Sequence, residues 1–364
     1  MFRRGVTLAL ALLLVACGGS QDRDPFTDSR IPPSLGPRDW PPPGWTWGLI
    51  QVGEAPPQRY GVAAPDAPPR AQVLILPGYG AAAEDEYHLA DALIDHGDAV
   101  WVLDGAGQGG SGRLLSSRDL GHLTSFDGDL TAIEQMIALV IRPQPGTPLI
   151  VVADTTSSLL ALRRMQLGAP GIAGLALRAP TRAAPDGARS DGPIASGALR
   201  LGLTTLRAPG TGGWSRDGPE IDSGLDGQTA HAWRLANPDL RMGGPSLGWM
   251  TAFAKLTADL DTARFSLIST PTLILRHPTA TAADLDWSDR LCRALPRCVQ
   301  SGAPTQTAEE AQIAAFADTL RQAADGPLAR AAQARPSQAG RSPLALTHRR
   351  LRRPGRPLIH AASL

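Results

Sequence analysis

Residues 148–162 have the composition of a strand, a sharp turn and a helix. Leu149–Val152 is apolar and β-branched, small residues follow it, and a Leu/Ala/Arg-rich helical segment comes next. This is the layout of a nucleophile elbow, the G-x-S-x-G turn that presents a nucleophile above a parallel sheet. The nucleophile position holds Thr155, and the small positions two residues before and after it hold Ala153 and Ser157. The turn therefore keeps the elbow layout with a threonine in place of serine.

A hydroxyl at this position needs a base to take its proton and a carboxylate to orient that base. The neighbours of Thr155 do not supply them. Asp154 is adjacent, but successive side chains diverge there, and a nucleophilic Ser157 would put Leu159 where a small residue is required. The extra methyl group of Thr155 also crowds a strained turn. Any catalytic partners must come from segments that are distant along the chain.

The composition indicates a globular protein with no strongly charged partner. The 364 residues suffice for one large domain or two small ones, and 43% of them are hydrophobic. The net charge of +1 gives no reason to expect nucleic-acid binding. Residues 326–364 contain several arginines and no acids, so the chain before them is net acidic. This basic tail is predicted to be disordered and solvated, with contact to anionic lipid or cell-wall polymer as the alternative.

The first 17 residues read as a bacterial lipoprotein signal. Two arginines precede the apolar run Val6–Ala16, which is too short to span a membrane, and Leu14–Cys17 matches a lipobox. Processing would leave Cys17 as an acylated N-terminus, and two or more acyl chains give stable membrane anchoring. The residue after the cysteine is Gly18 and not an aspartate, which favours transport of the lipoprotein to the outer membrane of a bacterial envelope. The alternative is an ordinary cleaved signal peptide with an incidental cysteine.

Two further cysteines, Cys292 and Cys298, are separated by five residues. Outside the cytoplasm, a disulfide between a helix end and the following loop is expected, and two unpaired core thiols are the alternative. The spacing does not suit a zinc site and no histidine is close enough to complete one. We therefore expect no metal and no other cofactor.

Strand-like and helix-like segments alternate along the chain and predict an α/β fold with a mainly parallel central sheet flanked by helices. The Pro/Gly-rich segment 18–45 is predicted to be a tether, and residues 46–325 form the domain. Residues 181–261 break the alternation and are predicted to be an inserted cap. The predicted strands are 47–51, 59–62, 71–78, 98–104, 148–152, 172–177 and 271–276, and the predicted helices are 84–96, 130–140, a segment after residue 158, 286–294 and 309–324.

Three segments resemble one family. Asp104–Arg113 resembles the D-x-R-G-x-G-x-S-x-R segment of lysophospholipase- and monoacylglycerol-lipase-like α/β hydrolases, and Gly121–Asp127 is similar to their G-H-V-x-S-F-D segment. Asn237–Trp249 is similar to the bacterial lysophospholipase L2 branch. The resemblance runs from about Trp47 to Ala324 and points to the serine aminopeptidase S33-type (Hydrolase_4) branch. It implies an α/β-hydrolase fold with a cap and an ancestral ester-hydrolase activity.

The same stretch contains a weaker dinucleotide-binding pattern, Gly105-x-Gly107-x-x-Gly110. That fingerprint must open a helix, whereas Ser111–His122 has the composition of a loop, so dinucleotide binding is disfavoured. His122 is the one histidine within the motifs. The resemblance places its counterpart in a supporting loop, so we expect a structural role for it.

Carried over residue by residue, the resemblance implies that all three catalytic positions have changed. The nucleophile position is Thr155, the acid position falls on Ala280, and the histidine position falls on Thr305. Asp284 matches a later aspartate of the same family loop, which supports this register. No histidine lies between His277 and the tail. The oxyanion hole uses backbone N–H groups, and the resemblance assigns them to Tyr79 and Thr156; possible stand-ins for the lost partners are His277, Asp284 and Asp286.

The sequence favours a membrane-anchored, catalytically inactive relative of these hydrolases that binds a lipid-like or acyl ligand. One alternative is a divergent lysophospholipase, monoacylglycerol lipase or carboxylesterase that uses Thr155 with an unconventional base. Another is an envelope scaffold whose cap contacts a partner through Trp214, Trp233 or Trp249. The sequence does not indicate an oligomeric state.

Overall fold

The computed structural model describes residues 23–169, 171–217 and 225–324. The predicted signal with Cys17, the five residues after it, and the predicted tail 326–364 lie outside the described residues. The chain divides into two units, 1–325 and 326–364, and everything below concerns the first.

The core is an eight-stranded sheet with the order β1-β2-β4-β3-β5-β6-β7-β8. β1 and β2 are antiparallel to their neighbours, and all other pairs are parallel. The predicted mainly parallel α/β fold is therefore confirmed. The strands are β1 Thr46–Ile50, β2 Gln58–Ala63, β3 Gln72–Leu76, β4 Ala99–Leu103, β5 Leu149–Asp154, β6 Ile172–Arg178, β7 Thr272–Arg276 and β8 Cys298–Gly302.

Helices cover both faces of the sheet. The α-helices of the described residues are α1 Tyr87–His96, α2 Asp127–Gln135, α3 Ser157–Gln166, α4 Pro193–Arg200, α5 Leu225–Ala236, α6 Leu247–Asp259, α7 Ala282–Ala294 and α8 Gln306–Ala324. A π-helical turn, Met136–Ile141, continues α2, and short 3₁₀ helices are formed by Pro37–Asp39, Ala83–Glu86, Pro185–Gly187, Pro238–Leu240 and Thr262–Leu267. No helix of the described residues is long and apolar enough to cross a membrane.

The central strands are apolar on both sides because both faces are covered. Val151 packs into the cluster that contains α2 and α3, whereas its neighbour Val152 packs into the cluster that contains α1 and α8. This alternation follows from the two-residue period of a strand. β5 is parallel to β3 and β6 and ends at Asp154, so the elbow lies at the carboxyl edge of the sheet.

The cap is inserted between β6 and β7 and contains α4, α5 and α6. Two of its tryptophans, Trp233 and Trp249, are buried, and Trp249 packs against Tyr79 with ring centroids 4.7 Å apart. Trp214 is partly buried between His231 and Arg241. The buried pair therefore joins the cap to the core and offers no surface for a partner.

Residues 23–45, which belong to the segment predicted to be a tether, are packed against the domain. We call this segment the N-terminal strap. Arg23 exchanges two backbone hydrogen bonds with Arg113 (2.9 and 2.8 Å), and Phe26 N–H donates to the Gly110 carbonyl (2.9 Å). The Arg30 backbone exchanges two hydrogen bonds with the Asn237 side chain of the cap (2.7 and 2.9 Å). Proline and glycine content suggested a linker, but these backbone groups find fixed partners.

The Cys292 and Cys298 sulfur atoms are bonded, with the two Cα atoms 5.3 Å apart. The bridge joins the last turn of α7 to the first residue of β8, so Cys298 lies in a strand rather than in the loop that the sequence suggested. β8 is the edge strand of the sheet, and the bridge ties it to the preceding helix.

Candidate active site

The turn after β5 has the backbone of a nucleophile elbow. β5 ends at Asp154, Thr155 adopts a φ of 39°, and α3 begins at Ser157. A positive φ is strained for a β-branched residue and persists only when the surroundings enforce it. The Thr155 N–H donates to the Arg178 carbonyl on β6 at 2.8 Å, which helps to hold the turn. The geometry that presents a nucleophile is retained.

The other hydroxyl groups of the turn are bound to backbone. Ser157 Oγ donates to the Pro77 carbonyl at 2.6 Å, and Ser158 Oγ donates to the Ala153 carbonyl at 3.0 Å. Thr156 Oγ1 accepts from the Tyr79 N–H at 3.0 Å. These bonds tie the elbow to the end of β3 and leave Thr155 as the hydroxyl of the turn that faces the cavity.

Among the described residues, no base contacts the Thr155 hydroxyl. Its oxygen lies against Gly78, 2.0 Å from where a Cβ on that residue would lie. Within the described part of the chain, no side chain forms a hydrogen bond with it. A hydroxyl without a base stays protonated at neutral pH and is a weak nucleophile.

The predicted acid and histidine positions are brought to different places. Ala280 lines the same cavity as Thr155 but carries no ionisable group. Thr305 is exposed just before α8, and its hydroxyl accepts from the Ala308 N–H at 3.2 Å, as a helix cap does. Thr305 is not among the residues that line the cavity. The structure thus joins two of the three predicted positions and leaves the third at the surface.

The possible substitutes have other tasks. His277 Nδ1 is 2.7 Å from the hydroxyl of Thr279, and His277 lines the cavity. Asp284 accepts from the Thr181 hydroxyl at 2.7 Å and so links the start of the cap to α7. Asp286 is exposed and pairs with Arg290 at 2.7 Å. Each of these groups is therefore engaged by a local partner.

A group that the sequence reasoning missed, Arg178, occupies the space beside the elbow. Its guanidinium lies 2.6 Å from Glu86, 2.8 Å from Glu309 and 3.9 Å from Asp154. Burial alone would lower the pKa of Arg178, but the charges of Glu309, Glu86 and Asp154 outweigh it and raise that pKa. A guanidinium has no lone pair with which to accept a proton, so Arg178 cannot replace the missing base.

A sequence signal for this network existed. Arg178 is the one charged residue of the strand Ile172–Arg178, and Glu309 falls in the first turn of the last helix. A charged residue at the carboxyl end of an otherwise apolar strand indicates the edge of the sheet at which a functional site lies. The pairing itself joins residues 131 positions apart (309 − 178) and is not visible in the sequence.

The cavity above the elbow has a volume of about 650 Å³. Its lining includes Thr155, the loop after β3, two histidines and cap residues such as Met242. Burial, followed by the charge of Arg178, lowers the pKa of His88 to about 4, so this histidine is neutral at pH 7. The acidic, basic and histidine residues of the lining are Asp85, Glu86, His88, Asp154, Arg178, Arg234, His277, Asp284 and Glu309. With five carboxylates and two guanidinium groups beside apolar surface, the wall is mixed in polarity and net acidic.

The predicted oxyanion hole is partly occupied from within the protein. The Tyr79 N–H already donates to Thr156 Oγ1, and the next amide, Gly80 N–H, donates to Gln108 Oε1 at 2.8 Å. A reacting carbonyl oxygen would have to displace the Thr156 hydroxyl to use the Tyr79 donor. One of the two predicted donors, the Tyr79 N–H, is therefore engaged within the protein.

The remaining motif residues have structural roles. His122 Nδ1 lies 2.8 Å from Ser246 Oγ, which also caps α6, so His122 joins its loop to the cap. Burial lowers the pKa of His122, and it does not line the cavity. Asp104 accepts from the Gly110 N–H at 2.9 Å and from the buried Arg59 at 2.7 Å, and the loop that follows it opens no helix before Asp127. The glycine pattern therefore folds as a supporting loop.

Among the described residues, no group of His, Cys, Asp and Glu is arranged to hold a metal ion.

The family model described as Hydrolase_4, serine aminopeptidase, S33 matches residues 67–299, which is well over half of the chain. The chain belongs to this family. The family assignment made from the three motifs is thus confirmed, and the sheet order places the S33-family elbow at the end of β5. No curated protein matches the chain.

Solved structures share the fold at low sequence identity. A soluble variant of monoglyceride lipase from Saccharomyces cerevisiae, in complex with a substrate analogue, is 16% identical, with a TM-score of 0.57 over 75% of this chain and 94% of that one. A highly thermostable carboxyl esterase from Bacillus coagulans, in complex with glycerol, is 14% identical, with a TM-score of 0.54 over 76% of this chain and 99% of that one. These likenesses establish that the chain has the α/β-hydrolase fold of lipases and esterases.

Proposed function

We propose that this protein is a non-catalytic member of the S33 hydrolase family, anchored in the bacterial envelope, that binds a polar ligand above the elbow. One observation carries the proposal. The space beside Thr155 contains the ion pairs of Arg178 with Glu86 and Glu309, and the Thr155 hydroxyl has no base within the described residues. The elbow thus retains its shape without the groups that activate a nucleophile.

The expected residual activity is small. Hydrolases that lack their triad keep roughly 10³–10⁴-fold acceleration over water from the oxyanion hole and binding. Here the Tyr79 N–H already donates to Thr156, so part of this residual rate acceleration is also lost. Binding without turnover is the function that this site supports best.

The charged groups of the lining suit the polar part of a ligand. Ligand pockets place a few polar groups among apolar side chains, and those groups fix the orientation of the ligand. Here nine acidic, basic or histidine residues line the cavity beside apolar surface, and Arg178 and Arg234 are each paired with carboxylates. An acyl chain packed against these charges would desolvate them at high cost. A lipid headgroup or a molecule of similar polarity can pair with them.

The proposed anchor is an acylated Cys17. Its lipobox and the following Gly18 support attachment to the outer membrane of a bacterial envelope. Metabolic labelling with a palmitate analogue tests this: the wild-type chain should incorporate the label, and Cys17→Ala should not. Equal labelling of both chains would contradict acylation at this position.

The test of catalysis is a hydrolysis assay on the purified chain with p-nitrophenyl butyrate and a lysophospholipid. We expect rates within error of those of Thr155→Ala, and no labelling by a fluorophosphonate probe. Thr155→Ala is the matched control because it removes the hydroxyl and leaves the ion pairs of Arg178 intact. Turnover that disappears in Thr155→Ala would show an active enzyme.

The alternative of a divergent esterase has one observation in its favour. Thr155 keeps its strained φ of 39° and lines a cavity large enough for a substrate. Strain of this kind is concentrated at functional sites. The same assay decides between the two functions, because a Thr155 nucleophile requires loss of turnover in Thr155→Ala.

A further inference from the structure

The N-terminal strap borders a second cavity, which we call the strap cavity. Its volume is about 450 Å³. Ligand pockets span about 300–1,000 Å³, so a small molecule can be accommodated. Among the described residues, none lines both this cavity and the one above the elbow, although Trp233 lines the first and its neighbour Arg234 the second. The strap cavity is therefore a separate site that the proposed function does not use.

Four aromatic side chains line the strap cavity. Trp45 and Trp47 are partly exposed, whereas Tyr87 and Trp233 are buried. The Trp45 ring meets the Trp47 ring at 84° with centroids 5.4 Å apart, and it meets the Tyr87 ring at 85° and 5.0 Å. Rings at right angles do not form a slot for a flat aromatic ligand. They offer single ring faces to a ligand that is not planar.

The strap contributes polar side chains to the same lining. Thr27, Asp28 and Arg30 line the cavity, and none of these three side chains forms a hydrogen bond or ion pair with another described residue. The backbone here is nevertheless fixed, because Arg30 exchanges two backbone hydrogen bonds with the Asn237 side chain. Free polar groups on a fixed backbone, beside aromatic rings, are what a binding site uses to orient its ligand.

The charges at the strap cavity disfavour an ionic ligand. The carboxylate of Asp28 and the guanidinium of Arg30 balance each other in the lining. The Trp47 ring already carries a cation, since the guanidinium carbon of Arg59 lies 3.9 Å from its centroid and Arg59 is itself paired with Glu84 at 2.7 Å. A quaternary ammonium ion would have to compete with this internal cation. The lining therefore suits a neutral molecule that has both C–H faces and hydroxyl groups.

We propose that the strap cavity binds a pyranose ring of a neutral glycan. The C–H groups of a pyranose carry partial positive charge and pack on the electron-rich face of an indole, which Trp45 offers. The hydroxyl groups around the ring both donate and accept, so they can pair with Asp28 and with Arg30. An N-acetylhexosamine chain and a hexose chain both have this chemistry. An envelope glycan as the source rests on the proposed function, whereas binding of the sugar itself does not.

The test is isothermal titration calorimetry of the purified chain with chitotriose, which is an N-acetylhexosamine trimer, with maltotriose, which is a hexose trimer, and with tetramethylammonium as a cation probe. We expect at least one saccharide to bind, and the preferred one identifies the source. Asp28→Ala should weaken that binding about tenfold or more, because it removes a charged hydrogen-bond acceptor. Trp45→Leu should abolish it, because the indole face is lost.

Matched controls come from the same strap. Asp24→Ala removes an exposed carboxylate, and Trp40→Leu removes an indole that is 41% exposed, and neither residue lines the cavity. Both controls should bind the saccharide as the parent chain does. Thermal unfolding of every variant separates lost binding from a lost fold, and Asp28→Ala, whose side chain has no partner among the described residues, decides the question if Trp45→Leu does not fold.

Four outcomes would overturn the proposal: no binding of either saccharide, unchanged binding in Asp28→Ala, an equal loss in Asp24→Ala, or binding of tetramethylammonium alone. The last of these would assign the aromatic rings to a cation site. Esterase activity or a failure of acylation would refute the proposed function and leave this measurement unaffected.

Discussion

The hydroxyl oxygen of Thr155 lies 2.0 Å from the point that a Cβ on Gly78 would occupy. The elbow and the loop after β3 therefore fit together only because residue 78 has no side chain. Threonine in the nucleophile position is accommodated by a glycine across the cavity floor. The loop after β3 and the elbow after β5 therefore pack directly against each other.

Gly78→Ala should destabilise the protein by about 1–3 kcal/mol, the usual cost of forcing an extra methyl group into a packed site. The free energy of unfolding, measured in urea, checks this. In a Thr155→Gly background the obstructing oxygen is gone, so most of the cost should disappear, and the two substitutions should be strongly non-additive.

Gly128→Ala is the matched control for this prediction. It lies in α2, and nothing is within 4 Å of a Cβ added there. The substitution should be neutral or stabilise by up to about 1 kcal/mol, because alanine is the better helix former. If Gly78→Ala costs the same with and without Thr155→Gly, the contact with Thr155 is not the cause.

The local parts of the fold and site were predictable from the sequence, and the long-range parts were not. The elbow could be located because the hydrophobic period of a strand or a helix, and the small residues of a turn, can be recognised within a few residues. The pairing of Arg178 with Glu309 depends on how two distant elements meet at the sheet edge. The packing of the strap was not predictable because Pro/Gly content reports the lack of helix and strand, not the lack of contacts such as those of Arg30 with Asn237.

Arg178→Gln should destabilise the protein by about 3–5 kcal/mol at pH 7. The side chain of Glu86 is only 3% exposed, so it would be left as an uncompensated buried charge. Urea unfolding provides the measurement. Arg276→Gln is the control, since its 3.6 Å pair with Asp289 is well exposed and such pairs contribute about 1 kcal/mol or less.

The deficit of Arg178→Gln should shrink as the pH is lowered from 7 towards 5. The deficit comes from negative charge left buried without its partner, and proton uptake at lower pH neutralises such charge and removes part of the deficit. A deficit that stays constant over this range would mean that lost packing, rather than an unpaired charge, causes it.

Asp129 gives a second pH dependence. It is fully buried, one oxygen accepts from the Ala106 N–H at 2.8 Å and from Gln58 at 3.2 Å, and the other has no hydrogen-bond partner among the described residues. Burial raises its pKa to about 6, despite these hydrogen bonds, which lower it. Asp129, two residues after the second motif, is therefore a buried carboxylate whose ionisation opposes folding near neutral pH.

The sign of the effect follows from the raised pKa. Below the unfolded value near 3.8 both states are protonated, and between about 4 and 6 the unfolded state loses its proton first, so stability falls as the pH rises. Above 6 the cost is complete and amounts to about 3 kcal/mol for about two pKa units. Asp129→Asn does not ionise, so its stability relative to wild type should increase by about that amount between pH 4 and pH 7. Urea unfolding of both proteins across this range, with the exposed Asp286→Asn as control, measures it, and parallel curves would show that Asp129 is ionised in the folded protein throughout.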